Sequence, residues 1–203
     1  MPVLLPAVHR TIVTVDVEGF GDRRRINSHQ VAVRDGLYGV LQQAFHAATI
    51  PWSGCYHEDC GDGVLILAPP EVAKSVFVES LPAQLVEGLR EHNSAHPAPE
   101  QIRLRMAVHA GELHYDDHGV VGTSINLTFR LLNADPLRSA LAGSSGVLAL
   151  ITSYSFFEEV VRHSPAAHPT AYRLVRVRTE LPLVPWRTPL CCFGVDSVLV
   201  CDG

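Results

Sequence analysis

The sequence predicts an α+β or α/β domain in which helices pack on one mixed sheet. Three observations lead there. Strand-type patterns recur at residues 11–17, 102–109 and 172–178. Helix-type spacing of apolar residues fills 33–45 and 72–91. The two kinds alternate along the chain instead of segregating. The 203 residues correspond to one domain, or one domain plus a tail. With 47% hydrophobic and 18% charged residues, the chain can build a core and is not of disordered composition.

Each element has a local justification. Residues 11–17 read TIVTVDV, a β-branched apolar run that suits a strand buried on at least one face, and Gly19 and Gly21 mark a turn after it. Ser28 is the candidate cap of a helix carrying Val33, Leu37, Val40, Leu41 and Phe45. Residues 55–60 and 64–68 flank Gly61-Asp62-Gly63, which is a hairpin signal. Residues 72–91 are helical, with Pro82 predicting a kink or a break into two pieces. Residues 92–101 read as a loop, and 102–109 alternate as a strand should. Residues 111–122 are turn-rich, a hairpin or short loop. Residues 125–133 are helical, with a further turn or two at 137–142, and 147–151 form a short strand. Thr152 or Ser153 caps a helix over 154–162. Residues 172–178 are the last clear strand. After Glu180 the pattern fails, so 180–203 is treated as an appendage, a strand along a sheet edge being its one candidate element.

Composition excludes several functions. The formal net charge of -5 provides no global field for a nucleic-acid backbone. The longest apolar stretches reach about half of the roughly 20 residues a spanning helix needs, so no membrane span is expected. The first residues lack the basic and apolar regions of a signal peptide. The 5 cysteines show no disulfide framework, and a reduced, cytoplasmic protein is expected.

The chemistry-bearing residues are carboxylates first. Asp16 ends a buried strand before a glycine turn, and Asp62 sits in a tight hairpin turn. Two such carboxylates can share hard divalent cations together with substrate phosphates. Asn126 and Arg130 stand four apart on a helix and share a face, where an Arg can meet charge on phosphorus. Alone, each has an ordinary reading as a strand end, a turn residue or a polar helix face. Together they form an ordered set. Val15-Asp16-Val17-Glu18-Gly19-Phe20 resembles the D-[IV]-x-G-F motif of class III nucleotidyl cyclase catalytic domains. Gly61-Asp62-Gly63 resembles that family's G-D hairpin. The run from Arg105 to Glu112 resembles its R-x-G-[IVL]-H-x-G-E strand, and Gly122 with Ile125–Leu131 its G-x-x-[VI]-N-x-x-x-R-L helix. All four occur in family order over roughly residues 11–178.

The resemblance implies a ferredoxin-like α+β mixed sheet covered by helices, over residues 8–179. It implies a head-to-tail homodimer with composite interface sites. One subunit supplies Asp16 and Asp62 for two divalent cations, Mg²⁺ or Mn²⁺, and the partner supplies Asn126 and Arg130. The reaction implied turns a nucleoside triphosphate into a 3′,5′-cyclic mononucleotide and pyrophosphate by a two-metal mechanism. Arg130 would meet charge on the α-phosphoryl oxygens and Asn126 would hold the ribose.

Base choice in the family rests on two positions, here Glu58 and Gly119. Adenylyl cyclases place Lys at the first, and guanylyl cyclases Glu. A carboxylate only accepts hydrogen bonds, so Glu58 suits the guanine N1–H and 2-amino donors and opposes adenine N1. GTP is therefore favoured over ATP. Gly119 offers no side chain, so a pyrimidine cyclase of anti-phage type, using CTP or UTP, is the alternative, and Asp117 or His118 could reach the base if the loop shifts. The short stretch from Gly111 to Asn126 resembles the compact bacterial subgroup, which implies a weaker dimer. Arg173 or Arg176 is the candidate phosphate clamp, while Arg23-Arg24-Arg25 reads as a solvated run and stays outside the site. A second class of function remains: a catalytically silent cyclase-fold module that dimerises and regulates a partner protein. Cys55, His57 and Cys60 would not converge from one strand onto zinc. Ser153 and Ser155 lack a nucleophile elbow, and Gly61-Asp62-Gly63 is no P-loop.

Overall fold

The computed structural model describes residues 6–177 and 190–194. Its elements run in the order β1 (Val8–Val17), α1 (Asn27–Ala47), β2 (Tyr56–Asp59), β3 (Gly63–Ala68), α2 (Val76–Glu79), α3 (Leu81–Ala95), β4 (Leu104–Asp116), β5 (Gly119–Val121), α4 (Thr123–Leu132), α5 (Asp135–Ala142), β6 (Leu148–Ser153), α6 (Tyr154–Glu159), β7 (Tyr172–Arg176) and β8 (Leu190–Gly194). The strands form one curled sheet in the order β2-β3-β1-β4-β6-β8-β7, with β5 paired to β4. The β4–β6 pairing is parallel and the others are antiparallel, which makes the sheet mixed.

The period-2 alternation of β1 divides the molecule. Val13, Val15 and Val17 face the larger core, where Val33, Leu37, Leu41 and Phe45 of α1 meet Leu81, Leu85 and Leu89 of α3. Ile12, Thr14 and Asp16 face the other way. Ile12 packs there with Leu65, Leu67 and Leu113 and with Ile125 of α4. The opposite surfaces of one strand thus separate the purely structural face from the face that carries polar residues.

Several local expectations hold and some shift. Pro82 lies in the first turn of α3, and Ser80 separates that helix from α2. The Ser153 side chain accepts a hydrogen bond from Phe156 N at 3.2 Å, so Ser153 is the cap of α6. Ser28, by contrast, lies inside α1, and Ile26 stands at the cap position with no side-chain bond. The helix gains its first turn from the backbone path out of the β1 turn rather than from a capping hydroxyl. α3 runs on to Ala95, into the stretch read as a loop. Residues 111–122 prove to be the distal half of a long β4 plus β5. β8 falls in the stretch read as an appendage, and it pairs with β6 on one side and β7 on the other, inside the sheet. The expected domain boundary at 179–180 falls outside the described residues.

Candidate functional site

Asp16 is the last residue but one of β1 and is 7% exposed. The sheet register sets it opposite Gly63 on β3 and Arg105 on β4. Arg105 uses that position fully. Its Nε donates to Asp16 Oδ1 at 2.8 Å and its Nη2 to Oδ2 at 2.6 Å. This is a bidentate, nearly buried ion pair. Burial nevertheless pushes the Asp16 carboxyl up to about 6; the Arg105 guanidinium pulls it down, and the negative charge of Asp62 adds to the rise.

Asp62 occupies the β2–β3 turn next to the end of β1. Its carbonyl accepts a hydrogen bond from Val17 N at 2.9 Å, which ties the turn to that strand end. Gly63 permits this approach. A Cβ there would lie 2.0 Å from the Val15 carbonyl oxygen, so no larger residue fits without moving backbone. The turn is also held from outside. Arg34 on α1 pairs with Asp59, its Nη1 donating to Asp59 Oδ1 at 3.1 Å and to the Gly61 carbonyl at 2.6 Å. Tyr38, one helical turn on, donates its hydroxyl to Asp59 Oδ2 at 2.8 Å. Asp59 Oδ1 in turn accepts from Gly61 N at 2.9 Å.

Asn126 and Arg130 lie on the exposed side of α4, away from Ile125, Thr128, Leu131 and Leu132, which pack on the sheet. Neither side chain makes a hydrogen bond or ion pair among the described residues, and none joins them to Asp16 or Asp62. Arg130 lines a groove together with Arg176, Asn133 and Asp135. Arg173, three residues earlier on β7, borders a different hollow with Pro136 and Ser139.

Glu58 is exposed on β2, and its Oε2 accepts from the Tyr56 hydroxyl at 3.1 Å. Gly119 opens β5 with a φ of 133°. It lies against Tyr56 rather than against Glu58: a Cβ on Gly119 would be 3.3 Å from the Tyr56 hydroxyl oxygen. The sequence reading missed Tyr56, Arg34, Tyr38 and the pairing of Arg105 with Asp16. Only the Arg105 strand motif and the four-residue spacing of Arg34 and Tyr38 on a helix offered any signal.

The donor set is compatible with a divalent cation. Asp16 and Asp62 are two carboxylates within electrostatic reach, the number that Mg²⁺ takes when substrate phosphates complete its shell. No group of three or more His, Cys, Asp or Glu residues suited to a metal exists among the described residues, so the protein alone builds no closed cage. No helix among the described residues is long and apolar enough to cross a membrane.

No family model matches the sequence, and neither does any curated protein. The fold, however, has clear counterparts among solved structures. The guanylyl cyclase Cya2 is similar at a TM-score of 0.57 and 18% identity, over 93% of this chain and 91% of that one. An adenylate/guanylate cyclase/hydrolase from Silicibacter pomeroyi is similar at 0.59 and 16%, over 93% and 96%. The non-canonical dimeric guanylyl cyclase domain of the RhoGC fusion protein from the aquatic fungus Blastocladiella emersonii is similar at 0.58 and 14%, over 94% and 98%. The chain thus has the fold of class III adenylate and guanylate cyclase catalytic domains, as its motifs imply.

Proposed function

We propose that this protein is a nucleotidyl cyclase, converting a nucleoside triphosphate, GTP in preference to ATP, into a 3′,5′-cyclic mononucleotide and pyrophosphate. The working unit is a homodimer whose sites combine Asp16 and Asp62 of one subunit with Asn126 and Arg130 of the other. One observation carries the reading. The carboxylates of Asp16, at the end of β1, and Asp62, in the turn tied to that strand end, lie within electrostatic reach of each other, while Asn126 and Arg130 are presented outward on α4 with no partner among the described residues. A head-to-tail pair would bring the two halves face to face twice.

In that arrangement the bond formed joins the ribose 3′-oxygen to the α-phosphorus, and the bond broken releases pyrophosphate. Asp16 and Asp62 would hold Mg²⁺ or Mn²⁺, which when bound supplies Lewis acidity toward the 3′-hydroxyl and the phosphates. Arg105 keeps the Asp16 carboxylate oriented and brings a fixed positive charge beside the phosphate path. Arg130 meets charge building on the α-phosphoryl oxygens, and Asn126 orients the ribose. Arg176, sharing a groove with Arg130, is the better placed phosphate clamp, and Arg173 the weaker one. Glu58 accepts hydrogen bonds from guanine, while Gly119 itself offers the base no side chain. The experiment is incubation with Mn²⁺ and each of ATP, GTP, CTP and UTP, with products read by mass spectrometry beside D62A. Cyclic GMP from the wild type alone supports the reading. A cyclic pyrimidine nucleotide would move the base preference, and no product from a folded dimer would sink the enzyme.

A further inference from the structure

The cyclase reading assigns base contact to Glu58 and finds nothing at Gly119 to complete it. The structure puts a phenol in that gap. The Tyr56 hydroxyl donates to Glu58 Oε2 at 3.1 Å and stands 3.3 Å from where a Cβ on Gly119 would be. Tyr56 is held in place by its β2 register opposite Leu67 and by edge contact with Tyr115, ring centroids 6.1 Å apart at 76°. Gly119 cannot readily take a larger residue. Its φ of 133° lies in the region L side chains rarely adopt, and the hydroxyl already occupies the near space.

We propose that Tyr56 is the second base-reading residue of this chain, standing in for the absent side chain at position 119. This rests on the cyclase reading of Glu58. Glu58 only accepts hydrogen bonds, whereas the phenol has one hydrogen to give. Side by side they present an acceptor next to a donor. The complementary base edge is a ring N–H next to a carbonyl, which guanine offers at N1 and O6. On binding, the Tyr56 hydrogen turns from Glu58 Oε2 to the base carbonyl, and Glu58 takes the N1–H in exchange, so every polar group stays paired. Adenine would set its N1 lone pair against the Glu58 carboxylate and its amino group toward the phenol. Burial, and then the hydrogen bond and charge of Glu58, hold the Tyr56 phenol above its ordinary range, so the donor is kept at neutral pH.

The test compares wild type with Y56F, which keeps the ring and its packing on Tyr115. Two readouts are taken: cyclic nucleotide formation from GTP and ATP, and equilibrium binding of 3′-deoxy-GTP and 3′-deoxy-ATP, which lack the attacking hydroxyl. The expected result is guanine preference in wild type and a loss in Y56F of about ten-fold in 3′-deoxy-GTP affinity, with 3′-deoxy-ATP changed by less than about two-fold. Binding of 6-thioguanosine triphosphate, whose sulfur accepts weakly, should fall far less than that of GTP on the same substitution. A Tyr56 that merely braces the hairpin would weaken all nucleotides alike, and equal losses overturn the proposal. Turnover of GTP with a base preference unchanged in Y56F overturns it while leaving the cyclase reading intact. A Tyr56-dependent guanine preference in binding without turnover supports it while the cyclase reading fails. Wild type that binds neither nucleotide, or prefers adenine, overturns it.

Discussion

The end of β1 and the outer face of α4 differ in how finished they are. At the end of β1 every element is fastened. Arg105 grips both oxygens of Asp16, Val17 N holds the Asp62 carbonyl, and Arg34 and Tyr38 brace the turn through Asp59. On α4 the buried side is equally well packed, yet Asn126 and Arg130 stand exposed and engage no described residue. On the proposed reading, the contrast is between one half of a composite site that is organised within the protomer and another half left open to a second copy. Preorganisation falls on the half whose carboxylates would otherwise repel each other.

The comparison can be broken or sharpened by substitution. The largest effect is expected at the carboxylates. D62N should lower turnover by more than about a thousand-fold while the melting temperature stays near that of wild type, because Asp62 is exposed and its side chain supports no packing. A modest loss in steady-state assays would remove Asp62 from the site. Next comes Gly63→Ala. Its Cβ would collide with the Val15 carbonyl, and a stability loss of about 3 kcal/mol is expected by denaturant titration. An unchanged midpoint would mean the turn is not clamped to β1.

A third test concerns His109, on the same face of the sheet as Asp16. Its Nδ1 lies 2.7 Å from Ser153 Oγ, and burial lowers the imidazole to about 4. The folded protein therefore keeps His109 neutral while the unfolded chain protonates near 6.5. Stability from this group is complete above that value and is lost as pH falls toward 4, about 3 kcal/mol across the window. H109N, though less stable overall, should show a flatter fall of unfolding free energy between pH 7 and 5 than wild type. Parallel curves would contradict the assignment. The smallest effect is expected at Arg34, whose pair with Asp59 is partly exposed. R34A should cost about 1 kcal/mol of stability. It should reduce turnover more than affinity, since it loosens the turn that aims Asp62; a change in affinity alone would argue for a direct substrate contact.

Much of this contrast was legible in the sequence, and the reason is distance along the chain. Asp16, Asp62, Asn126 and Arg130 each sit in a short motif whose local pattern fixes a strand end, a turn or a helix face. The alternating face of β1 and the break at Pro82 are likewise local. What escaped is what the sheet register creates. Asp16 and Arg105 are 89 residues apart and meet only because β1 and β4 align them. The Arg34–Asp59 pair depends on how α1 crosses the hairpin. Tyr56 and Gly119 meet only because the β4–β5 hairpin comes against β2, where Tyr115 also meets Tyr56. β8 was expected only as a strand along a sheet edge, and its place between β6 and β7 escaped because five residues among prolines carry too little pattern to assign two neighbours.

The central claim is that each site draws its two halves from different subunits, and subunit mixing tests it most directly. D62A and R130A chains, each inactive alone, would be denatured, combined in equal amounts, refolded and assayed with GTP and Mn²⁺. Random pairing makes half the dimers mixed, and each mixed dimer has one site with all four residues and one lacking both. Activity should return to about a quarter of that of wild type treated the same way. Recovery of no activity, with mixed dimers shown to be present, would contradict the account.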